Sequence, residues 1–296
     1  SPIDPLTSYI GAESTLSVEA KEEIAEHWGL NDPPLERFAS WGKNVLKGDF
    51  GTSITYKQQV STVILERFKY SIVLMLVAWC FSGIVGFLIG ILAGIYKGSL
   101  FDKIIKIFCV ALQSAPTFWI GLLILSLFSV YLGWFPIGFA VPMGKLSLEI
   151  TIWDRIYHLI LPALTLSILG ISRVTLFTRQ KLIEILNSDF ILFAKARGEN
   201  TRQLVIRHGL RNIALPAITE QFASFSELFG GIALAETVFS YPGLGTATTA
   251  AGLNGDVPLL LGIAIFSAIF VFVGNFIANI LYGVLDPRLK EGKYNG

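Results

Sequence analysis

The chain is poor in charge. Asp, Glu, Lys and Arg make up 15% of its 296 residues, against about 25% in an ordinary soluble protein. Hydrophobic residues make up 53%. A water-soluble domain of this size has no way to bury so much apolar surface, and large exposed apolar patches drive association. A bilayer is the solvent that accepts the excess. The charges that remain nearly cancel, with 23 basic and 22 acidic side chains. Net charge therefore points neither to nucleic acid nor to an acidic partner.

Residues that carry chemistry are also scarce. The two cysteines, Cys80 and Cys109, both fall in apolar runs, where a thiol behaves as a small buried hydrophobe. The three histidines, His27, His158 and His208, show no metal-ligand spacing. No H-E-x-x-H or G-x-S-x-G motif occurs. A membrane-embedded enzyme needs a convergent nucleophile, base or metal set, and none is legible. No G-x-x-x-x-G-K-[ST] phosphate loop occurs either, so no motif marks this chain as an ATPase.

What the sequence does have is long apolar runs. Five stand at about 70–96, 107–132, 158–178, 212–235 and 257–284. Each is near the roughly 20 residues that cross a bilayer as a helix. The expectation is an all-α, polytopic helical membrane protein, with residues 70–284 as its transmembrane domain. In the first run Gly83, Gly86, Gly90 and Gly94 recur at a spacing that lets helices approach closely.

Basic residues set the topology. Lys97, Lys103 and Lys106 follow the first run. Arg173, Arg179, Lys181, Lys195, Arg197, Arg202, Arg207 and Arg211 fill 173–211, and Arg288, Lys290 and Lys293 lie in the tail. The alternate loops, 133–157 and 236–256, are poorer in bases. The positive-inside rule makes the first set cytoplasmic. The tail 285–296 is then cytoplasmic and residues 1–69 extracytoplasmic, which five spans satisfy. A cytoplasmic start needs one more span upstream of Ser1. Ser17 and the acids after it predict one short helix in the outer region, and Leu35, Phe38, Trp41 and Val45 predict an amphipathic one over 35–46. Lys47-Gly48-Asp49-Phe50-Gly51 reads as a turn.

Polar residues inside spans are expensive and often functional. Gln113, Ser114, Glu220, Gln221, Glu227, Asn275 and Asn279 qualify. Asn275 and Asn279 share a helix face. Gln113, Ser114, Glu227, Asn275 and Asn279 are the candidate pathway residues, and Glu227 leads them: buried and ionised, it needs a partner or water. Bonding between neighbouring helices is the other role open to each.

Between the third and fourth runs, Asp189 to Arg197 predicts a short helix. Asp189 favours its start and Gly198 its left-handed stop. Such a knob docks into a partner's groove, or it is only a basic loop that fixes topology. Residues 236–256 predict an outward loop turning back towards the pore. In it Tyr241-Pro242-Gly243-Leu244-Gly245 combines a fixed φ at Pro242 with glycines free to take positive φ. An ordinary tight turn is the plainer alternative.

Ala194-Lys195-Ala196-Arg197-Gly198, followed by Arg207-His208-Gly209-Leu210-Arg211-Asn212 and Pro216, resembles the EAA loop of ATP-binding-cassette importer permeases. Five further motifs agree in order. They are Gly48-Asp49-Phe50-Gly51-Thr52-Ser53, Pro116-Thr117-Phe118-Trp119, His158-Leu159-Ile160-Leu161-Pro162-Ala163, Glu236-Thr237-Val238-Phe239-Ser240-Tyr241-Pro242-Gly243-Leu244-Gly245, and Asp286-Pro287-Arg288. Together they cover nearly the whole chain and are most similar to the dipeptide/oligopeptide/nickel permeases, a MetI-like type I importer family.

The resemblance implies six spans, the first of them upstream of this sequence. It implies a second permease, two cytoplasmic cassette ATPases that hold the ATP and magnesium, and an extracytoplasmic substrate-binding protein. The site is then the cytoplasmic membrane of a prokaryote. The coupling loop, about 180–211, enters the ATPases, and Ala194, Lys195, Ala196, Arg197 and Gly198 form its docking surface. The chain itself needs no cofactor, no metal and no enzymatic activity. Its cargo is di- or oligopeptides, with nickel or a metal chelate as the alternative. A stand-alone secondary transporter would show inverted repeats and paired intramembrane charges, and the sequence displays neither.

Overall fold

The computed structural model describes residues 33–285. The helix expected near Ser17 and the tail beyond Leu285 lie outside those residues. Among the described residues every regular element is helical.

Helix α1 covers Pro34–Leu46 and starts on proline, whose missing N–H is no loss in a first turn. Gly48 and Gly51 then turn the chain with φ of 85° and 83°. The long helices follow: α2, Val60–Ile95; α3, Leu100–Ser114; and α4, Thr117–Ile124, continued by a π-helical stretch Leu125–Tyr131. After a loop, α5 runs Ile152–Leu186. Two short helices come next, α6, Asp189–Ala196, and α7, Thr201–Leu204, the latter continued by the π-helical Val205–Gly209. Then come α8, Leu210–Ala223; α9, Phe225–Val238; α10, Leu244–Leu253; and α11, Val257–Leu285.

Among the described residues three helices are long and apolar enough to cross a membrane: Val60–Ile95, Ile152–Leu186 and the Val257–Ile280 part of α11. The other two expected runs are helical but broken. The second bends by 110° between α3 and the α4 stretch. Its cause is local: a residue before proline is pushed out of the α region, and Ala115 takes φ −88°, ψ 138° ahead of Pro116. The fourth run is two helices of 14 residues joined at Ser224, whose ψ is −9°. The third run is longer than expected. Thr151 caps it by accepting from Asp154 N, and it continues to Leu186, so Arg173, Arg179 and Lys181 are helical and not in a loop.

The chain divides into two compact units. One takes the described residues up to Ser71 with Pro242–Ile269. Here fully buried Asp256 accepts from Ser53 Oγ at 2.6 Å, Thr55 N at 2.9 Å and Leu259 N at 3.2 Å. A Cβ on Gly262 would stand 2.4 Å from Val60 Cγ1, so the Val60 side chain packs directly on the α11 backbone there. Leu244 N, at the start of α10, donates to Ser71 Oγ at 2.8 Å.

The other unit takes Ile72–Tyr241 with the described residues from Phe270. The glycine stripe of α2 does what its spacing predicts. Cβ atoms added at Gly86, Gly90 and Gly94 would meet Val174, Thr178 and Leu182 of α5 at 2.8, 2.7 and 2.9 Å. Trp79 and Gln221 exchange bonds across α2 and α8: Trp79 Nε1 donates to Gln221 O at 2.8 Å, and Gln221 Nε2 to Trp79 O at 2.6 Å. Asp102 of α3 pairs with Arg179 of α5. Ile120, Ile124, Leu161 and Phe239 form a buried apolar cluster that closes α4 and α5 over the end of α9.

Candidate functional site

Two places gather the polar residues of the second unit. The first is a cavity of about 250 Å³ lined by Gln113, Thr117, Leu166, Leu169, Gly170, Arg173, Ser224, Glu227, Leu228 and Gly231. Four helices supply it. The bend after Ser114 brings Gln113 and Thr117 to one wall, and the break at Ser224 sets Glu227 in the first turn of α9. Arg173 of α5 donates through Nη1 to Glu227 Oε2. The side chains stay 41% and 63% exposed.

The sequence reading asked for a partner or water if Glu227 is buried and ionised. The partner exists, but the carboxylate stands in an open cavity. An isolated charge buried in an apolar medium is prohibitively costly, and here the carboxylate has both Arg173 and the cavity opening beside it. The other pathway candidates scatter. Gln113 lines the cavity, while exposed Ser114 bonds its own helix at Val110 O, 3.0 Å away. Asn275 Oδ1 accepts from Ser226 Oγ at 2.7 Å, so it ties α11 to α9. Asn279 is exposed one turn further along. Gln221 is buried against Trp79 and Ser82.

The second place is the connection 187–209. Helix α6 ends as expected, with Gly198 at φ 87°. Its N-cap is Ser188, and Asp189 sits in the first turn without a side-chain capping bond. Ala194 departs from the expected docking surface. It is 2% exposed and packs with Ile191 and Leu204, because it lies three residues after Ile191 on the inner face. Lys195, Ala196, Arg197 and Gly198 are exposed. So are the apolar Phe190, Leu192 and Phe193, the last at 75%. Glu199 braces the segment, accepting from Arg197 Nη2 at 3.1 Å and facing His208 Nε2 at 3.1 Å.

The turn at 241–245 is also rearranged. Gly243 is extended, with φ −96° and ψ −168°, and Gly245 lies inside α10. The positive φ falls on Ser240, at 46°. Tyr241 N donates to Glu236 O at 2.8 Å, which closes the end of α9. Tyr241, Gly243 and Gly245 are buried and Pro242 is half-buried.

Arg173 and the apolar face of α6 escaped the sequence reading. Arg173 counted as a loop base because it was tallied with the arginines after it. Val174, Leu176 and Phe177 directly beyond it signal that the helix goes on. Phe190, Leu192 and Phe193 carried a signal too: three large apolar side chains on an eight-residue helix cannot all face one core.

Comparison with known proteins sets these features in a family. The chain is 36% identical over 290 residues to the oligopeptide transport system permease protein AppB of Bacillus subtilis, spanning 98% of this chain and 90% of that one. It is 32% identical over 305 residues to the di/tripeptide transport system permease protein DppB of Pseudomonas aeruginosa, with 98% and 90% covered. Against the dipeptide transport system permease protein DppB of Escherichia coli K12 it is 30% identical over 310 residues, with 99% and 91% covered. A solved structure titled as inward facing conformations of the MetNI methionine ABC transporter shares the fold, with TM-score 0.58 at 16% identity over 76% of this chain and 96% of that chain. Residues 86–291 match the family described as binding-protein-dependent transport system inner membrane component, and the chain belongs to that family of multi-pass inner-membrane proteins.

Proposed function

We propose that this chain is the translocating subunit of an ATP-driven importer of di- or oligopeptides. The observation that carries the reading is the exposed face of α6, where Phe190, Leu192 and Phe193 stand beside Lys195 and Arg197 on a segment similar to the family's coupling loop. An apolar anchor with a basic rim is the surface that a docking partner buries. The partner here is a cassette ATPase that binds ATP and magnesium, and the full assembly holds two of these, a second permease and an extracytoplasmic binding protein. The peptide cargo is supported by the relatives named as oligopeptide and dipeptide permeases.

The mechanism is alternating access. ATP binds one closed arrangement of the ATPases better than the other, and this difference moves the equilibrium of the permeases from inward-open to outward-open. Helix α6 passes the movement on, because Ala194 and Ile191 lock it to Leu204 at the end of α7. Hydrolysis resets the pair. The chain contributes no catalysis.

The test is a mild-detergent pull-down from native membranes, with ATP-dependent peptide uptake into vesicles. A second permease and cassette ATPases should co-purify, and Phe193→Asp should lose the ATPases while still inserting. A chain recovered alone, or uptake of peptide without ATP, would overturn the reading.

A further inference from the structure

The cavity at Arg173 and Glu227 asks for an explanation that helix packing does not give. Ionisable side chains within membrane helices are costly and most often functional. Pairs that only hold helices together are shut away from water, as Asp102 and Arg179 are in this chain, at 2% and 13% exposed. Arg173 and Glu227 are at 41% and 63%, one pair facing an open cavity of about 250 Å³. An ion pair this exposed stabilises the fold little. Both charges thus stay available to a ligand.

The rest of the lining is suited to one chemical class. Leu166, Leu169 and Leu228 give apolar walls, and Gln113 and Thr117 give amide and hydroxyl groups. The volume is just under the roughly 300–1,000 Å³ of small-ligand sites, enough for a small cargo or one end of a longer one. A guanidinium binds a carboxylate through two parallel N–H donors, and a carboxylate accepts from an ammonium. A zwitterion presents both groups. It replaces one internal ion pair by two external ones, and leaves neither protein charge without a counter-charge.

We propose that this cavity is a cargo subsite for the charged termini of a peptide, in which Arg173 takes the carboxylate and Glu227 the ammonium. The inference rests on the peptide-importer reading and adds to it a point of recognition inside the permease. A peptide capped at either end pairs with only one of the two charges and leaves the other facing a neutral group. The subsite therefore favours free peptides over capped ones, independently of the binding protein.

The experiment uses the assembled complex in liposomes. In a Cys80→Ser background, Gln113→Cys places a thiol on the cavity wall, and its alkylation by a maleimide is timed. Millimolar dialanine should slow alkylation severalfold. N-acetyl-dialanine and dialanine amide should each slow it less, and Arg173→Gln should abolish the preference for a free carboxylate. In parallel, Arg173→Gln and Glu227→Gln should each cut ATP-dependent dialanine uptake about tenfold. Equal protection by free and capped peptides, or none, overturns the subsite, and so does protection that survives Arg173→Gln while uptake falls, since the pair is then only structural. If the unmutated complex takes up no peptide at all, the importer reading fails instead.

Discussion

Arg179 of α5 holds Asp102 of α3 with two hydrogen bonds, the Nη2–Oδ2 bond being 2.8 Å, and the carboxylate also accepts from Gly98 N at 2.8 Å. The carboxylate is 2% exposed. The pair thus joins the start of α3 to the C-terminal part of α5, with Ser99 capping α3 by accepting from Asp102 N. Removing one member of a buried pair leaves the other charge uncompensated, at a cost of about 3–5 kcal/mol. Asp102→Ala should therefore lower the melting temperature of the detergent-purified complex markedly. Replacing both residues together, Asp102→Leu with Arg179→Met, should recover most of the loss. A single mutant as stable as the unmutated chain would show that the pair carries no structural load.

The α2–α5 contact makes a sharper prediction. A Cβ at Gly90 would lie 2.7 Å from Thr178 Cβ and 2.8 Å from Thr175 O, and a backbone oxygen cannot swing aside. Gly90→Ala should destabilise by about 1–3 kcal/mol, the usual range for overpacking. Gly230 of α9 is the control, because a Cβ there meets nothing within 4 Å. Gly230→Ala should be neutral or stabilise, since alanine is the better helix former by about 1 kcal/mol. Thermal melts of both variants side by side decide the matter. Equal effects would deny that the glycine stripe is a packing device.

These contacts show what the sequence made legible. The stripe Gly83 to Gly94 was readable because its spacing is a local property, and the structure puts Gly86, Gly90 and Gly94 against α5. Gly198 was readable for the same reason. The bend at Ala115 was in principle readable too, since the proline rule is local, but the apolar run continues smoothly across it. Partners distant in sequence were not readable. Glu227 asked for a counter-charge, and nothing in composition points to Arg173, 54 residues earlier. Ala194 looked like surface because its neighbours are basic, and only the positions of Ile191 and Leu204 bury it. Ser240 takes the positive φ that two nearby glycines could have taken more cheaply, and backbone strain of that kind follows from tertiary context.

Asp256 gives a prediction in the other unit. Its oxygens hold the loop through Ser53 and Thr55 and cap α11 through Leu259. Asp256, Ser53 and Leu259 are fully buried, while Thr55 is half-buried. Asp256→Ala would strand the buried donors of Ser53 and Leu259, at about 1–3 kcal/mol for each. The loop should then open locally. Tryptic cleavage after exposed Lys57 reads this directly and should be faster in Asp256→Ala by an order of magnitude. A cleavage rate equal to that of the unmutated chain would mean that other contacts hold the loop.

Gly198 separates geometry from sterics in the proposed coupling segment. Its φ is 87°, and a Cβ added there would meet nothing within 4 Å. Any effect of substitution is therefore backbone strain, about 1–2 kcal/mol for a residue that avoids the left-handed region. That strain falls where α6 stops, at the bond from Gly198 N to Lys195 O, 2.9 Å long. The next residue is Glu199, which accepts from Arg197 and faces His208, so a shift in φ moves the whole brace. Gly198→Val should cut ATP-driven uptake severalfold while membrane insertion and assembly persist. Gly198→Asn should keep most of the activity, because asparagine enters the left-handed region more readily. Equal uptake in both variants and the unmutated complex would remove the turn from the coupling pathway, and equal loss in both would point to the missing glycine surface itself as the docking contact.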